Sequence, residues 1–280
     1  MADLAMLGVF AHPDDEELMG GTFAQAASEG VRTGLVCATR GERGEISDPA
    51  LATPGNLGEV RERELRAACA VLGIKYLWFL DYKDSGMAGT PENDDPECFV
   101  RADTDEALEK IVRIVRDFRP AVMVTFDETG AYGHPDHLAI ERLAAAAFHA
   151  AGDRARFPEA GEVWQPARLF YAGFPRSAMT AWVAMAREAM PDHPFAQLDT
   201  SSIGIEDARI TNRVDVARWF DLKRKARQMH RTQTSPDDPT AKMSREQIEQ
   251  WMSTEYFALV AGQPLSDGDG AAGDLFAGLR

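Results

Sequence analysis

Short apolar runs alternate with amphipathic stretches through the first part of the chain, and this alternation constrains the fold more than any other feature. Leu4 to Ala11, Thr33 to Thr39, Tyr76 to Leu80, Ala121 to Phe126 and Arg168 to Gly173 read as strands. Strands that are apolar on both faces suit a sheet covered by helices on both sides. Between them the spacing predicts helices over about residues 16–30, 58–73, 104–118 and 136–151. The second of these places Val60, Ala67, Ala68, Val71 and Leu72 at helical spacing and stops at Gly73. The third turns Leu108, Ile111, Val112 and Val115 to one side and ends before Pro120. Strands alternating with helices imply parallel pairing through right-handed crossovers. The expected fold class is α/β, a Rossmann-like, doubly wound and mostly parallel sheet.

Past residue 175 the pattern loosens. Helices are expected near residues 178–190, 215–232 and 243–260, with a strand around Ala208 to Val214. This gives a catalytic core over 1–175, a C-terminal helical extension over 176–261 that walls the pocket, and a tail over 262–280 expected to be flexible. The stretch from Gly262 to Gly273 is rich in Gly, Asp and Ala, a composition that buries little. Two long loops, 40–57 and 81–103, each follow a strand. They belong at the carboxyl edge of the sheet, where open α/β folds bind ligands.

Two clusters sit at such strand ends: His12-Pro13-Asp14-Asp15-Glu16 after the first strand and His134-Pro135-Asp136-His137 after the fourth. A lone His-Pro is a common turn dipeptide. Two His-Pro-Asp units, each behind an apolar strand and each extended by another ligating residue, are much harder to assign to turns. His12 and Asp15 stand at i and i+3, on one side of a first helical turn. The first and fourth strands are commonly neighbours where strand order reverses, which brings His137 to them. Two imidazoles and a carboxylate with positions left open suit catalytic zinc, and the same set suits iron(II) or another divalent ion. Asp14 is then placed to take a proton from a water on the metal. His134 is placed to stabilise an oxyanion or protonate a leaving amine, and Asp136 to fix an imidazole tautomer.

A net charge of −15 argues against nucleic acid or an anionic membrane as partner. Three widely spaced cysteines, Cys37, Cys69 and Cys98, give no disulfide framework and fit a cytoplasmic setting. Cys37 and Cys69 read as small core residues, while Cys98 falls in a polar loop. The N-terminus shows no signal-peptide pattern, and no apolar stretch is long enough to span a bilayer. The partner expected is a small molecule, and a homo-oligomer is left open.

At the two clusters the chain resembles the PIG-L/LmbE-like N-deacetylase family. The resemblance rests on Ala11-His12-Pro13-Asp14-Asp15-Glu16 and His134-Pro135-Asp136-His137 and spans about residues 4–150. It is nearest the branch of the mycothiol-biosynthesis deacetylase and the mycothiol S-conjugate amidase. Gly41-Glu42-Arg43-Gly44-Glu45, Asp84-Ser85-Gly86-Met87 and Tyr132-Gly133 point to that branch, and His230-Arg231-Thr232-Gln233 is a weaker echo. The resemblance implies zinc on His12, Asp15 and His137, with Asp14 as general base. It implies His134 at the oxyanion, Asp136 tuning the histidines and Tyr132 as a mobile residue that polarises the carbonyl. Arg61 and Asp84 match positions that hold sugar hydroxyls.

The residues alone leave Arg61 equally readable as part of a solvated, charge-dense helix face, Asp84-Ser85-Gly86 as a turn and Tyr132 as an exposed loop ring. The amidase branch tends to carry a lysine where this chain has Leu18-Met19-Gly20-Gly21. The expected function is therefore zinc-dependent deacetylation of an N-acetylglucosamine-containing small molecule. An amidase acting on a thiol–sugar conjugate is the alternative. A non-catalytic nucleotide- or sugar-binding module is a rival of another class. It would want a G-x-G-x-x-G turn after the first strand, where His-Pro-Asp-Asp stands. A two-metal phosphoesterase would want more carboxylates and a phosphate clamp.

Overall fold

The expected strands join one seven-stranded sheet in a computed structural model of the chain, in which the strands that begin at Tyr76, Arg32, Ala5, Val122, Arg168, Thr254 and Asn212 follow one another across the sheet. The structure describes residues 4–189, 191, 194–197, 199–201, 203–234, 243–265 and 273–280. The parallel strands are β1 (Ala5–Phe10), β2 (Arg32–Cys37), β3 (Tyr76–Phe79), β4 (Val122–Thr125) and β5 (Arg168–Ala172). Every residue of β1, β4 and β5 is buried, which is why these segments read as unbroken apolar runs.

The connecting helices are α1 (Gly20–Ser28), α2 (Leu57–Leu72), α3 (Thr104–Phe118), the short turn α4 (Gly130–Gly133) and α5 (Pro135–Ala150). Right-handed crossovers put α1 and α2 on one face and α3 and α5 on the other. The helix α3 is capped by Asp103, whose side chain accepts from the Glu106 N–H at 2.9 Å. Its Leu108, Ile111, Val112 and Val115 are buried, as their spacing predicts. Chain order reverses between β1 and β4, so their carboxyl ends open the crevice in which the two His-Pro-Asp clusters meet.

The C-terminal third departs from expectation. It supplies α6 (Arg176–Ala189), β6 (Asn212–Asp215), α7 (Phe220–Arg227), α8 (Arg245–Met252) and β7 (Thr254–Gly262). The helix expected over 243–260 is therefore two elements, with the second half a strand. A capping box at Ser244 and Gln247 starts α8, and Ser253 ends it. Thr254–Gly262 then pairs antiparallel to both β5 and β6. Tertiary pairing on two sides overrides the weak local preference of this segment.

The tail also packs more than its composition suggests. Gly262 closes β7, and Leu275 and Phe276 are buried in the main core. Residues 266–272, the centre of the expected flexible stretch, lie outside the described residues. The helix expected from residue 16 begins instead as a 3-10 turn, Asp15–Met19, before α1. All three cysteines are unpaired and buried, Cys98 included.

A buried carboxylate stitches the two ends of the chain together. Glu255 of β7 accepts from the N–H groups of Gly21 and Thr22, each at 2.8 Å, and from the Thr22 hydroxyl at 2.6 Å. It thus caps α1, where a negative charge is favoured, and pairs with Lys223 Nζ at 2.6 Å.

Candidate active site

The first turn after β1 is shaped by backbone contacts to a carboxylate. Asp15 Oδ2 accepts from the N–H groups of Ala11, at 3.1 Å, and His12, at 2.7 Å. This folds Asp15 back beside His12. From the other cluster, His134 is the N-cap of α5, and its Nδ1 accepts from the Asp136 N–H at 3.1 Å. Pro135 at the first helical position suits this start. His137, one turn along, stacks on Phe126 with ring centroids 4.1 Å apart.

The three expected ligands converge. His12 Nδ1 lies 3.1 Å from His137 Nε2, and Asp15 reaches His12 at 3.8 Å and His137 at 3.4 Å. Tautomers follow from the outer partners of each ring. His137 Nδ1 faces the Gly130 carbonyl at 3.1 Å, so it carries the proton and Nε2 presents a lone pair. His12 Nε2 faces Asp136 Oδ2 at 3.1 Å, so it carries the proton and Nδ1 presents a lone pair. With both rings neutral, two lone pairs and a carboxylate thus point at one another among buried side chains, an arrangement relieved either by a proton on His12 Nδ1 or by a metal cation between them. That donor set fits a divalent metal of the zinc type.

Gly130 makes room for this geometry. Its φ of 59° lies in the left-handed region, and a Cβ there would stand 2.8 Å from the Cβ of His137.

Electrostatics agree with a cation-seeking site. Burial alone would depress the His12 pKa, but hydrogen bonding to Asp136 and the charges of Asp15, Asp84 and Asp136 raise it to about 9. Burial raises Asp15 to about 7 against the lowering effect of His12. His137 is pushed well down by burial and by the neighbouring histidines, which keeps its ring neutral. Burial, followed by His12, also lowers His134.

A second buried set, His12, Asp84, His134 and Asp136, offers ligand atoms within 4.8 Å of one another. Its atoms are largely committed already. Asp136 Oδ2 holds His12 and accepts from the Ser85 N–H at 2.9 Å, and Asp84 Oδ1 accepts from the Gly86 N–H at 2.8 Å. Asp136 hydrogen-bonds His12, whereas Asp84 stands 3.8 Å from His12 and 3.9 Å from His134.

Asp14 sits beside the ligands with a φ of 94°. A non-glycine residue there is strained and needs surroundings that hold it. Arg61 supplies part of the hold. The helix face around it is charge-dense, yet Arg61 is 4% exposed. Its Nη2 donates to the Pro13 carbonyl at 2.6 Å and lies 3.3 Å from Asp14 Oδ2, and its Nη1 donates to the Gly41 carbonyl at 3.0 Å. Gly41 is needed for this approach, because a Cβ there would meet the guanidinium at 2.1 Å. Arg61 and Asp84, 4% and 3% exposed, lie beneath the cleft above the cluster and are not among the residues that line it. Tyr132 does line the cleft, is 47% exposed and places its ring 5.0 Å from that of His137.

The cleft has a volume of about 410 Å³ and contains Asp14, Asp15, Tyr132 and His137. Residues of the C-terminal third also line it. Phe174 and Trp251 stack at 4.9 Å, Trp182 stacks on Trp251 at 6.1 Å, and Arg227 and Gln233 add polar groups. Sequence reasoning did not single out these wall residues. Only the His230–Gln233 stretch carried a signal, through its faint match to the resembled branch.

A carboxyl-edge crevice in which buried histidines and aspartates could hold a cation, with a further aspartate beside them, is the type of site that metal-dependent hydrolases use. The chain belongs to the PIG-L family, described as GlcNAc-PI de-N-acetylase, whose model matches residues 7–148. A curated relative from Thermobispora bispora is 39% identical over 303 residues, covering all of both chains; it is a 1D-myo-inositol 2-acetamido-2-deoxy-alpha-D-glucopyranoside deacetylase. Among solved structures, the N,N'-diacetylchitobiose deacetylase of Pyrococcus horikoshii aligns with a TM-score of 0.64 at 20% identity, covering 91% of this chain and 83% of that one. The GalB 4-carboxy-2-hydroxymuconate hydratase of Pseudomonas putida KT2440 aligns at 0.60 and 19% identity, covering 94% and 99%. At such identities the likeness is one of fold, and a fold shared by a hydratase and a deacetylase does not choose between their reactions. No helix among the described residues is long and apolar enough to cross a membrane.

Proposed function

We propose that the protein is a zinc-dependent amide hydrolase that removes the acetyl group from an N-acetylglucosaminyl-inositol type of small molecule. The observation that carries the reading is the mutual approach of two lone-pair nitrogens and a carboxylate, on His12, His137 and Asp15, at the carboxyl ends of neighbouring strands. Full-length similarity to a relative bearing that activity supports the substrate class. The metal, when bound, supplies Lewis acidity toward a carbonyl and toward water.

The chain's own groups divide the remaining work. Asp14, 31% exposed and open to the cleft, accepts the proton of the attacking water and returns it to the amine nitrogen as the C–N bond breaks. His134 Nδ1 already accepts a backbone N–H, so its Nε2 carries a proton to donate to the developing oxyanion. Its lowered pKa favours this neutral hydrogen-bond role over service as a charged acid. Asp136 fixes the tautomer of His12 through Oδ2. Tyr132 stands at the mouth, where its hydroxyl can approach the carbonyl, and the Phe174–Trp251–Trp182 wall offers flat faces to a ring. A cytoplasmic setting belongs to the reading, supported by three unpaired and buried cysteines.

Asp14→Ala tests the assignment. With metal content retained, acetate release should fall by about 10²–10⁴-fold, the range a positioned base contributes. A near-wild-type rate in metal-loaded Asp14→Ala would remove Asp14 from the mechanism.

A further inference from the structure

One buried pair of titratable side chains lies outside the roles assigned so far. Glu16 and His230 are fully or almost fully buried and sit 214 residues apart in sequence, yet His230 Nε2 is 2.6 Å from Glu16 Oε1. The other oxygen of Glu16, Oε2, accepts the backbone N–H of Asp14 at 3.0 Å. One carboxylate thus joins the C-terminal third to the peptide of the residue read as the base.

The approach of His230 is built by its neighbours. The Thr232 N–H and hydroxyl donate to the two oxygens of Glu64 on α2, at 3.0 and 2.6 Å. The Ser47 hydroxyl donates to the Arg231 carbonyl at 2.8 Å, and Gln233 Nε2 donates to the Glu45 carbonyl at 2.9 Å. Each residue from Arg231 to Gln233 therefore makes a contact that fixes this strap against α2 and the loop after β2. Next to it, Arg227 Nη1 pairs with Glu17 Oε2 at 3.0 Å.

Asp14 needs such a hold. Its φ of 94° is costly for an aspartate, and its carboxylate is only half of what must be placed. The peptide is fixed on the carbonyl side by the Glu17 N–H at 3.0 Å, and Pro13 is fixed by Arg61. On the N–H side, Glu16 is the partner. A free carboxylate at that depth would be unstable, and His230 supplies its counter-group.

We propose that Glu16 and His230 form a positioning pair, in which the C-terminal strap locks Glu16 and Glu16 locks the backbone of Asp14 in its strained conformation. This rests on Asp14 being the general base. Neither residue touches substrate. The ligand geometry of His12, Asp15 and His137 is set by other contacts, so the pair governs turnover and leaves metal binding and KM largely alone.

A double-mutant cycle on the metal-loaded full chain tests this, with acetate release from N-acetylglucosaminyl-inositol as the readout. His230→Ala should lower kcat by about 10–100-fold at unchanged metal content and KM, the scale of a misplaced catalytic group. Introduced into Asp14→Asn, it should lower the residual rate by less than about twofold, because groups that act as a unit are not additive. A merely structural role would give the same factor in both backgrounds, and that result overturns the proposal. Should His230→Ala fail to fold, Glu16→Gln serves instead. Asp14 and His230 bond different oxygens of Glu16, and in Glu16→Gln one of these positions becomes an amide nitrogen that cannot accept, so kcat should again fall, by about tenfold or more. Unchanged kcat in a folded, metal-loaded Glu16→Gln also overturns it. An active Asp14→Asn would instead sink the base assignment itself.

Discussion

Replacing Glu255 by alanine should cost the protein about a third or more of an ordinary domain's stability, although the residue is remote in sequence from every metal ligand. The carboxylate is 1% exposed and Lys223 is 8% exposed, so the pair is desolvated on both sides. Removing one member leaves an uncompensated buried ammonium, a loss of about 3–5 kcal/mol. The N-terminus of α1 loses its negative cap as well, for about 0.3–1 kcal/mol more. A total near 4–5 kcal/mol follows. With an unfolding entropy of about 2.1 cal/mol/K per residue, a chain of this length should melt about 7–9 °C lower. Lys223→Met in the Glu255→Ala background should restore about 2 kcal/mol, since the stranded charge is gone while the Gly21 and Thr22 N–H groups still lack their acceptor. Urea denaturation of the unaltered protein and the two variants, read by tryptophan fluorescence, measures both differences. A loss below about 1 kcal/mol for Glu255→Ala would refute the reasoning that this carboxylate ties β7 to α1.

Metal uptake should weaken steeply with acidity. Ligation needs His12 neutral and Asp15 ionised, but His12 is raised to about 9 and Asp15 to about 7 in the metal-free site. Between those values one proton is displaced per metal, about tenfold in affinity per pH unit, and below the lower value two are displaced. Chelator competition at several pH values reads the slope, and a flat profile would contradict the ligand set. Gly130→Ala should destabilise the fold by about 1–3 kcal/mol and lower metal content, because the left-handed backbone and the His137 Cβ both resist a side chain. Trp251→Ala should raise KM by about tenfold with metal content unchanged, and an unchanged KM would remove the aromatic wall from substrate binding.

Much of this architecture was written locally, and the exceptions share a cause. The strands β1, β4 and β5 are buried on both faces, so they announce themselves as apolar runs. The two His-Pro-Asp clusters were legible because each follows such a strand, and strand order brings them together without further information. Thr254–Gly262 was not legible as a strand, because its identity depends on β5 and β6 pairing with its two edges. Arg61 was equally ambiguous. Its helix is dense with charges, and only the gap left by Gly41 shows that this one guanidinium turns inward. Glu16 looked like the start of a helix, whereas its buried partner lies 214 residues away. The aromatic wall is drawn from three separated segments, so no window of sequence contains it.

The account stands on a cation held jointly by the carboxyl ends of β1 and β4. Its most direct test is acetate release from N-acetylglucosaminyl-inositol by protein stripped of metal and then titrated with zinc. Stripped protein should be inactive, and activity should return in proportion to zinc up to one equivalent per chain, with His137→Ala failing to recover. Full turnover by the stripped protein would contradict the account at its root.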